Sequence, residues 1–255
     1  MNSFLSWVGG KRLLRKQITD RFPKEIDRYV EVFGGAAWVL FYKDKHAKQE
    51  IYNDLDGNLV NLFRCVKHHT PEMQRLLREQ LTSREMFDQY LYLHRQTNPF
   101  QTDIQRAVEF YTLIKTSYGS KGQHFNLNGE TCNFERLANT LTPIQKRLQN
   151  VVIEHSDFAK LIARYDKPGT LFYCDPPYYQ AEYFYNIHFT PDDHQRLRDT
   201  LATIQGKFLL SYNDHPAIRE LYHNYNIEAI QRNNSLANRY PNTPQTYQEL
   251  IITNY

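Results

Sequence analysis

The sequence predicts an α/β protein in which a doubly wound sheet is interrupted by a helical insertion. Three features of the chain lead there. Residues 1 to 62 alternate between helix and strand patterns, residues 71–93 and 103–115 repeat apolar side chains at helical spacing with few strand signals, and the alternation resumes near residue 150. Residues 1–62 and 150–255 are therefore predicted to form one domain, with 63–149 inserted into it. No internal repeat is present.

The first element is an apolar start, Phe4-Leu5-Ser6-Trp7-Val8, followed by a Gly9-Gly10 turn and a basic amphipathic helix from Lys11. The glycines let backbone approach a ligand closely, and Lys11 in the first helical turn can meet a carboxylate as a point charge. Next, Tyr29-Val30-Glu31-Val32 reads as a strand, Phe33-Gly34-Gly35 as a small-residue turn and Ala36-Ala37-Trp38-Val39-Leu40 as a helix. This has the shape of a nucleotide-binding loop without the full G-x-G-x-x-G pattern. Twenty residues after Gly34, the strand Ile51-Tyr52-Asn53 ends in Asp54, a spacing by which doubly wound sheets hold ribose hydroxyls. Beyond the insertion, strands are predicted at 151–154, 171–174, 208–211, 226–230 and 249–252. A helix begins at Pro191, with Asp192 and Asp193 at its positive end.

The densest chemistry follows the buried-strand pattern Thr170-Leu171-Phe172-Tyr173, where the chain reads Cys174-Asp175-Pro176-Pro177-Tyr178-Tyr179. A carboxylate, two prolines and an aromatic at a strand's carboxyl end suit chemistry on a planar amino group. Proline removes backbone donors and fixes φ, so Pro176 and Pro177 make a stiff turn whose carbonyls stay available as acceptors. If Asp175 and the Pro176 carbonyl each accept one amino hydrogen, the nitrogen lone pair turns out of the ring plane and can attack. Tyr178 would lie flat on the ring and leave its edge free. A plain strand end with a Pro-Pro turn is the other reading of these residues.

In order along the chain, Trp7-Val8-Gly9-Gly10-Lys11, Phe33-Gly34-Gly35, Asn53-Asp54-Leu55, Ser156-Asp157-Phe158 and Asp175-Pro176-Pro177-Tyr178 resemble the motifs of the Dam-type, or D12 class, DNA adenine-N6 methyltransferases. Asp193-His194-Gln195-Arg196-Leu197, the run from Gly206 to Asp214 and the run from Glu249 to Tyr255 agree with it. The likeness spans nearly the whole chain, and its motif order is that of the α group. It implies a Rossmann-like S-adenosylmethionine-dependent methyltransferase sheet with an inserted helical target-recognition segment. It also implies site-specific methyl transfer from S-adenosylmethionine to adenine N6 in double-stranded DNA, with the base flipped into the Asp-Pro-Pro-Tyr pocket. RNA or protein-glutamine methyltransferases would place Asn where Asp175 stands and lack the start from Trp7 to Lys11.

Carried over residue by residue, the resemblance places Trp7, Lys11, Asp54 and Asp175 on the cofactor, with Lys11 at its carboxylate and Asp54 at its ribose. Phe33 and Gly34 would pack on it, and Asp157 with Phe158 would read its adenine. Asp157 also suits a helix N-cap. The catalytic set is Asp175, Pro176, Pro177 and Tyr178, with Tyr179 or Phe184 helping to receive the base.

Target choice is expected in the loop after residues 103–115, where Lys115, Ser117, Lys121, Gln123, His124 and Asn126 can reach base edges or phosphate. A second polar stretch, 231–239, offers Arg232 and Arg239 to phosphate. Either segment also reads as an ordinary polar surface loop. Relatives that read GATC carry an Asn-Arg before the first loop and a Tyr-Asn after an arginine; Ile114-Lys115-Thr116 and His124-Phe125-Asn126 stand here, so GATC is not carried over.

Composition agrees with an intracellular, cytoplasmic and nucleoid-associated enzyme. The chain has 255 residues and a net charge of +3, without a leading apolar segment or a membrane-length run. Residues 63–149 hold 12 Lys and Arg against 8 Asp and Glu, a balance of +4, whereas the rest hold 19 against 20. The insertion carries the positive excess expected of a part that tracks phosphates, and a mixed-charge solvated face is the other reading of so small a difference. Cys65, Cys132 and Cys174 are too far apart for a disulfide framework or zinc site, and no metal is expected. Double-stranded DNA with a target adenine is the expected partner, and a cognate restriction endonuclease is the protein partner that a restriction–modification role would bring.

Overall fold

The structure is a computed structural model and describes residues 1–94, 96, 101–127, 131–182, 189–233 and 246–255. The elements run α1 (Arg15–Asp20), β1 (Arg28–Glu31), β2 (Gln49–Asn53), α2 (Gly57–His68), α3 (Thr70–Arg78), α4 (Arg84–His94), α5 (Asp103–Thr116) and α6 (Phe134–Leu148). They continue with β3 (Val151–Glu154), α7 (Phe158–Tyr165), β4 (Thr170–Cys174), α8 (Pro191–Ala202), β5 (Lys207–Asn213), α9 (Pro216–Leu221), β6 (Asn226–Asn233) and β7 (Thr246–Thr253). Among the described residues the strands form one seven-stranded sheet in the order β3-β2-β1-β4-β5-β7-β6. All neighbours are parallel except β7, which runs antiparallel to both β5 and β6.

Strand side chains alternate between two cores, as a sheet covered on both faces requires. Tyr29, Tyr52, Leu171, Tyr173 and Leu209 pack on one side with α2, α3, α5 and α6. Val30, Ile51, Phe172, Cys174 and Leu210 pack on the other with α7, α8 and α9. Most of the helices between β2 and β3 therefore share a continuous core with one sheet face. They are also tied by charge: Arg147 of α6 donates to both Glu50 oxygens at 2.7 and 2.8 Å, and to the Leu40 and Lys43 carbonyls. Both side chains of the pair are buried.

Helix starts follow their caps. Asp56 accepts from the N–H groups of Asn58 and Leu59 to begin α2, Thr102 and Gln105 form a capping box at α5, and Thr190 with Asp193 forms another at α8. Two expectations need correction. The segment after Gly35 is not a helix but an irregular turn with Ala37 at φ 55°, followed by a single 3-10 turn at Leu40–Tyr42. Residues 36–41 are apolar and all buried, so no polar face selects a helical period. The first helix begins at Arg15 rather than at Lys11, which sits one turn earlier and gives its carbonyl to the Arg15 N–H at 2.8 Å.

Candidate active site

The order 3-2-1-4-5 makes β1 and β4 neighbours whose chain connections leave in opposite directions. A crevice opens at their carboxyl ends, where ligands bind in sheets of this kind. Here it encloses about 880 Å³ of empty space, part of it open to solvent, and is lined by the segments after Trp7, Glu31, Asn53 and Ser156 together with Asp175 and Pro177. Asn53 stitches three strand ends into its wall. Its amide donates to the carbonyls of Val32 and Ser156, and its oxygen accepts the Ser156 N–H.

Asp175 caps β4, whose five residues are all buried. Its Oδ1 accepts from Lys11 Nζ and from Ser211 Oγ, each at 2.8 Å. Lys11 Nζ also donates to the Gly9 carbonyl at 2.9 Å and lies 4.7 Å from the Tyr178 ring centroid. Burial pushes the Asp175 carboxyl above its ordinary range, against the pull of Lys11. Pro176 and Pro177 are buried, and Pro177 rather than Pro176 lines the crevice. The loop beyond is clamped from β5: Asn213 accepts the Tyr179 N–H and donates to the Tyr179 carbonyl.

Glu249 of β7, given no role of its own in the sequence beyond a strand and a run that agrees with the family, belongs to this cluster. It is buried, accepts the Tyr178 hydroxyl at 2.6 Å, and lies 3.9 Å from Lys11 Nζ. The signals in the sequence were a carboxylate opening an apolar strand and its place in a run that agrees with the family. Glu31, at the end of β1, was likewise passed over. Buried and lining the crevice, it accepts the Tyr29 hydroxyl at 2.7 Å, and burial pushes its carboxyl up to about 8.

Asp54 is buried at the end of β2. One oxygen accepts the Gly35 N–H and the other the Asp56 N–H, both at 2.8 Å. Burial raises its carboxyl to about 6, against those backbone donors. The Phe33-Gly34-Gly35 turn is thus held by the carboxylate expected beside it. Gly34 is required there, since a Cβ would come within 2.2 Å of the Tyr52 ring. Gly35, at φ +50°, faces Trp7.

Asp157 takes the N-cap role open to it and pairs with a cation as well. It caps α7, accepting from Ala159 and Lys160, and both its oxygens are also met by Arg196 at 2.8 and 2.9 Å. That bidentate contact is the main cause holding its carboxyl below the usual range. Arg196 lies 3.9 Å over the Phe158 ring, and Phe33, Phe158 and Phe189 enclose the adjoining apolar slot. Arg196, on a different helix from Asp157, was quoted in the sequence only as part of a motif.

In the loop expected to choose the target, Ser117 and Phe125 form a bridge, and Gln123, His124 and Lys121 are exposed, with Asn126 half-buried. Ser117 serves the loop itself: it is buried, donates to the Ile114 carbonyl and accepts the Gly122 N–H. Lys115 folds over the Tyr111 ring at 5.3 Å, and burial lowers its ammonium. Tyr118, which was not singled out, is 59% exposed at the same turn. Arg239 and Phe184 lie outside the described residues, as does the side chain of Arg232.

Residues 7–236 match the family of D12 class N6 adenine-specific DNA methyltransferases. The type II methyltransferase M.CviBI of Paramecium bursaria Chlorella virus NC1A is 25% identical, over 88% of either chain. The DNA adenine methylase of Salmonella typhi is 28% identical over 92% of this chain and 89% of its own. Among solved structures, the rRNA methyltransferase aviRa from Streptomyces viridochromogenes, 10% identical, aligns over 93% of this chain and 81% of its own with a TM-score of 0.37. Strand-end carboxylates around one crevice and a family match over most of the chain lead to one conclusion: this chain belongs to the D12 class N6 adenine-specific DNA methyltransferases.

Proposed function

We propose that the protein transfers a methyl group from S-adenosylmethionine to N6 of a target adenine in double-stranded DNA, after the nucleotide has rotated out of the helix. The observation that supports it most is Asp175, held by Lys11 and Ser211 at the switch point of the sheet, with the Tyr178 ring beside it. The crevice also fits the cofactor chemically. An aromatic slot beside Asp157 suits its adenine, and Asp54 keeps acceptor capacity for hydroxyls beyond its two backbone donors. Glu31 and Lys11 suit the amino-acid end. When bound, S-adenosylmethionine supplies a methyl carbon made electrophilic by its sulfonium.

The chain's own part is positioning. A stacked base cannot reach the crevice, so the nucleotide must leave the duplex, and Tyr178 offers it a stacking surface. With Oδ1 of Asp175 occupied by Lys11 and Ser211, Oδ2 is the oxygen that receives a hydrogen of the amino group. An acceptor there favours the tetrahedral nitrogen of the transition state over the planar ground state. The raised proton affinity of Asp175 suits it to take the proton that the methylated nitrogen releases.

Incubating the purified protein with S-adenosylmethionine and duplex DNA, then digesting to nucleosides for mass spectrometry, tests this directly. N6-methyladenine is the expected product, lost in Asp175→Ala with folding intact. Methylcytosine alone, or no methylated nucleoside, would overturn the proposal.

A further inference from the structure

Glu249 reaches the site from β7, far in sequence from the segments that line the crevice. Its side chain is 3% exposed. Three contacts around it share one cation: Lys11 Nζ stands 2.8 Å from Asp175 Oδ1, 3.9 Å from Glu249 Oε2 and 4.7 Å from the Tyr178 ring centroid. The same Glu249 oxygen accepts the Tyr178 hydroxyl at 2.6 Å. Its place is also fixed by the sheet, because Glu249 pairs with Asn213, and Asn213 holds the Tyr179 backbone at both its N–H and its carbonyl.

Packing alone gives no reason for this residue. A second buried carboxylate beside Asp175 costs desolvation and repels the first, whereas an apolar side chain would continue the Leu250-Ile251-Ile252 strand at no such cost. Resting on the reading of this crevice as an adenine methyl-transfer site, we propose that Glu249 is a positioning residue. It anchors the Tyr178 ring through the phenol and takes the Lys11 ammonium as Asp175 turns to the target amino group. Closing the Lys11 to Glu249 separation to ion-pair contact needs a movement of about 1 Å, within the reach of a lysine side chain. Asp175 is then free to accept a hydrogen without leaving a buried cation unpaired. No bond forms or breaks at Glu249.

Glu249→Gln separates the two duties, because the amide oxygen still accepts the Tyr178 hydroxyl but carries no charge for Lys11. It is expected to lower the single-turnover methylation rate about tenfold or more while both KM values change by less than about threefold. Its melting temperature should stay near that of the parent protein. Glu249→Ala removes the anchor as well and should be slower still. Adding Tyr178→Phe to Glu249→Ala should then cost less than Tyr178→Phe costs alone, since the bond it deletes is already gone. A Glu249→Gln rate within about twofold of the parent overturns the inference, as does an equal cost of Tyr178→Phe in both backgrounds. A parent protein that leaves DNA adenine unmethylated rejects the reading of the site instead, so the two failures are distinguishable.

Discussion

Lys11 and Asp175 stand 164 positions apart in the chain and 2.8 Å apart in space, joining the turn before α1 to the end of β4. Lys11 was expected to face the carboxylate of the cofactor, and in the structure its ammonium rests on Asp175, Glu249 and the Gly9 carbonyl. On the proposed function, the pair therefore couples the cofactor side of the crevice to the acceptor side. Whatever draws Lys11 toward a ligand also changes the charge around Asp175.

Replacing Lys11 by Met makes this visible as a pH effect. Burial and Glu249 push the Asp175 carboxyl up while Lys11 pulls it down, so removal of Lys11 leaves only the Ser211 hydrogen bond to oppose the upward influences. Asp175 must be ionised to accept the amino hydrogen, and the acid limb of the rate profile should move to higher pH. At saturating cofactor the variant should lose more activity at pH 6 than at pH 8. An acid limb that stays in place would show that Lys11 does not govern Asp175.

Glu31 bears on stability. Its folded carboxyl is pushed up to about 8 from an ordinary 4.5, so the native state keeps a proton that the unfolded chain releases. Below about pH 4 both states are protonated and no penalty arises; between about 4.5 and 8 folding is increasingly disfavoured, and above 8 the penalty is constant. Glu31→Gln removes this dependence and retains an acceptor for the Tyr29 hydroxyl. The variant should gain stability over the parent as pH rises from 5 to 8, by about 3 to 5 kcal/mol. Urea melts across that range check it, and a constant difference would count against a neutral Glu31.

Arg147 is the electrostatic bolt between the insertion and the sheet. Arg147→Met leaves the Glu50 carboxylate buried without its partner and should cost about 3 to 5 kcal/mol. The melting temperature should fall by about 10 °C. Adding Glu50→Gln should restore part of the loss, because the orphaned charge is gone. Loss that only adds in the double variant would place the effect elsewhere.

Strand ends were the legible part of this molecule. Apolar runs closing in Asp54 and Asp175 mark strand and site together, because a buried strand leads its first polar residue to the crevice. Strand direction was less accessible: nothing in Leu250-Ile251-Ile252 distinguishes an antiparallel strand from a parallel one. Partners contributed across the fold were also hidden. Arg196 meets Asp157 from a different helix, and Ser211 and Glu249 meet the Asp175 loop from neighbouring strands, so no local spacing announces them. The turn at 36–40 was misread because buried apolar residues without a polar face carry no period.

In the loop of residues 117–126, proposed to meet DNA, phosphate contact and loop rigidity separate. Gly119, Ser120 and Gly122 all adopt positive φ, and the Ser117 hydroxyl holds the Gly122 N–H, so exposed Lys121 is presented on a fixed turn. If its ammonium meets phosphate, Lys121→Ala should weaken binding and make the plot of log affinity against log salt shallower by about 0.9. Ser117→Ala should weaken binding through loosening of the turn, with the slope retained, since no charge is lost. Anisotropy titrations of labelled duplex at several salt concentrations read both quantities. Parallel slopes for Lys121→Ala and the parent would remove Lys121 from the phosphate contacts, whereas a slope change in Ser117→Ala would show that the turn itself sets how many phosphates are met.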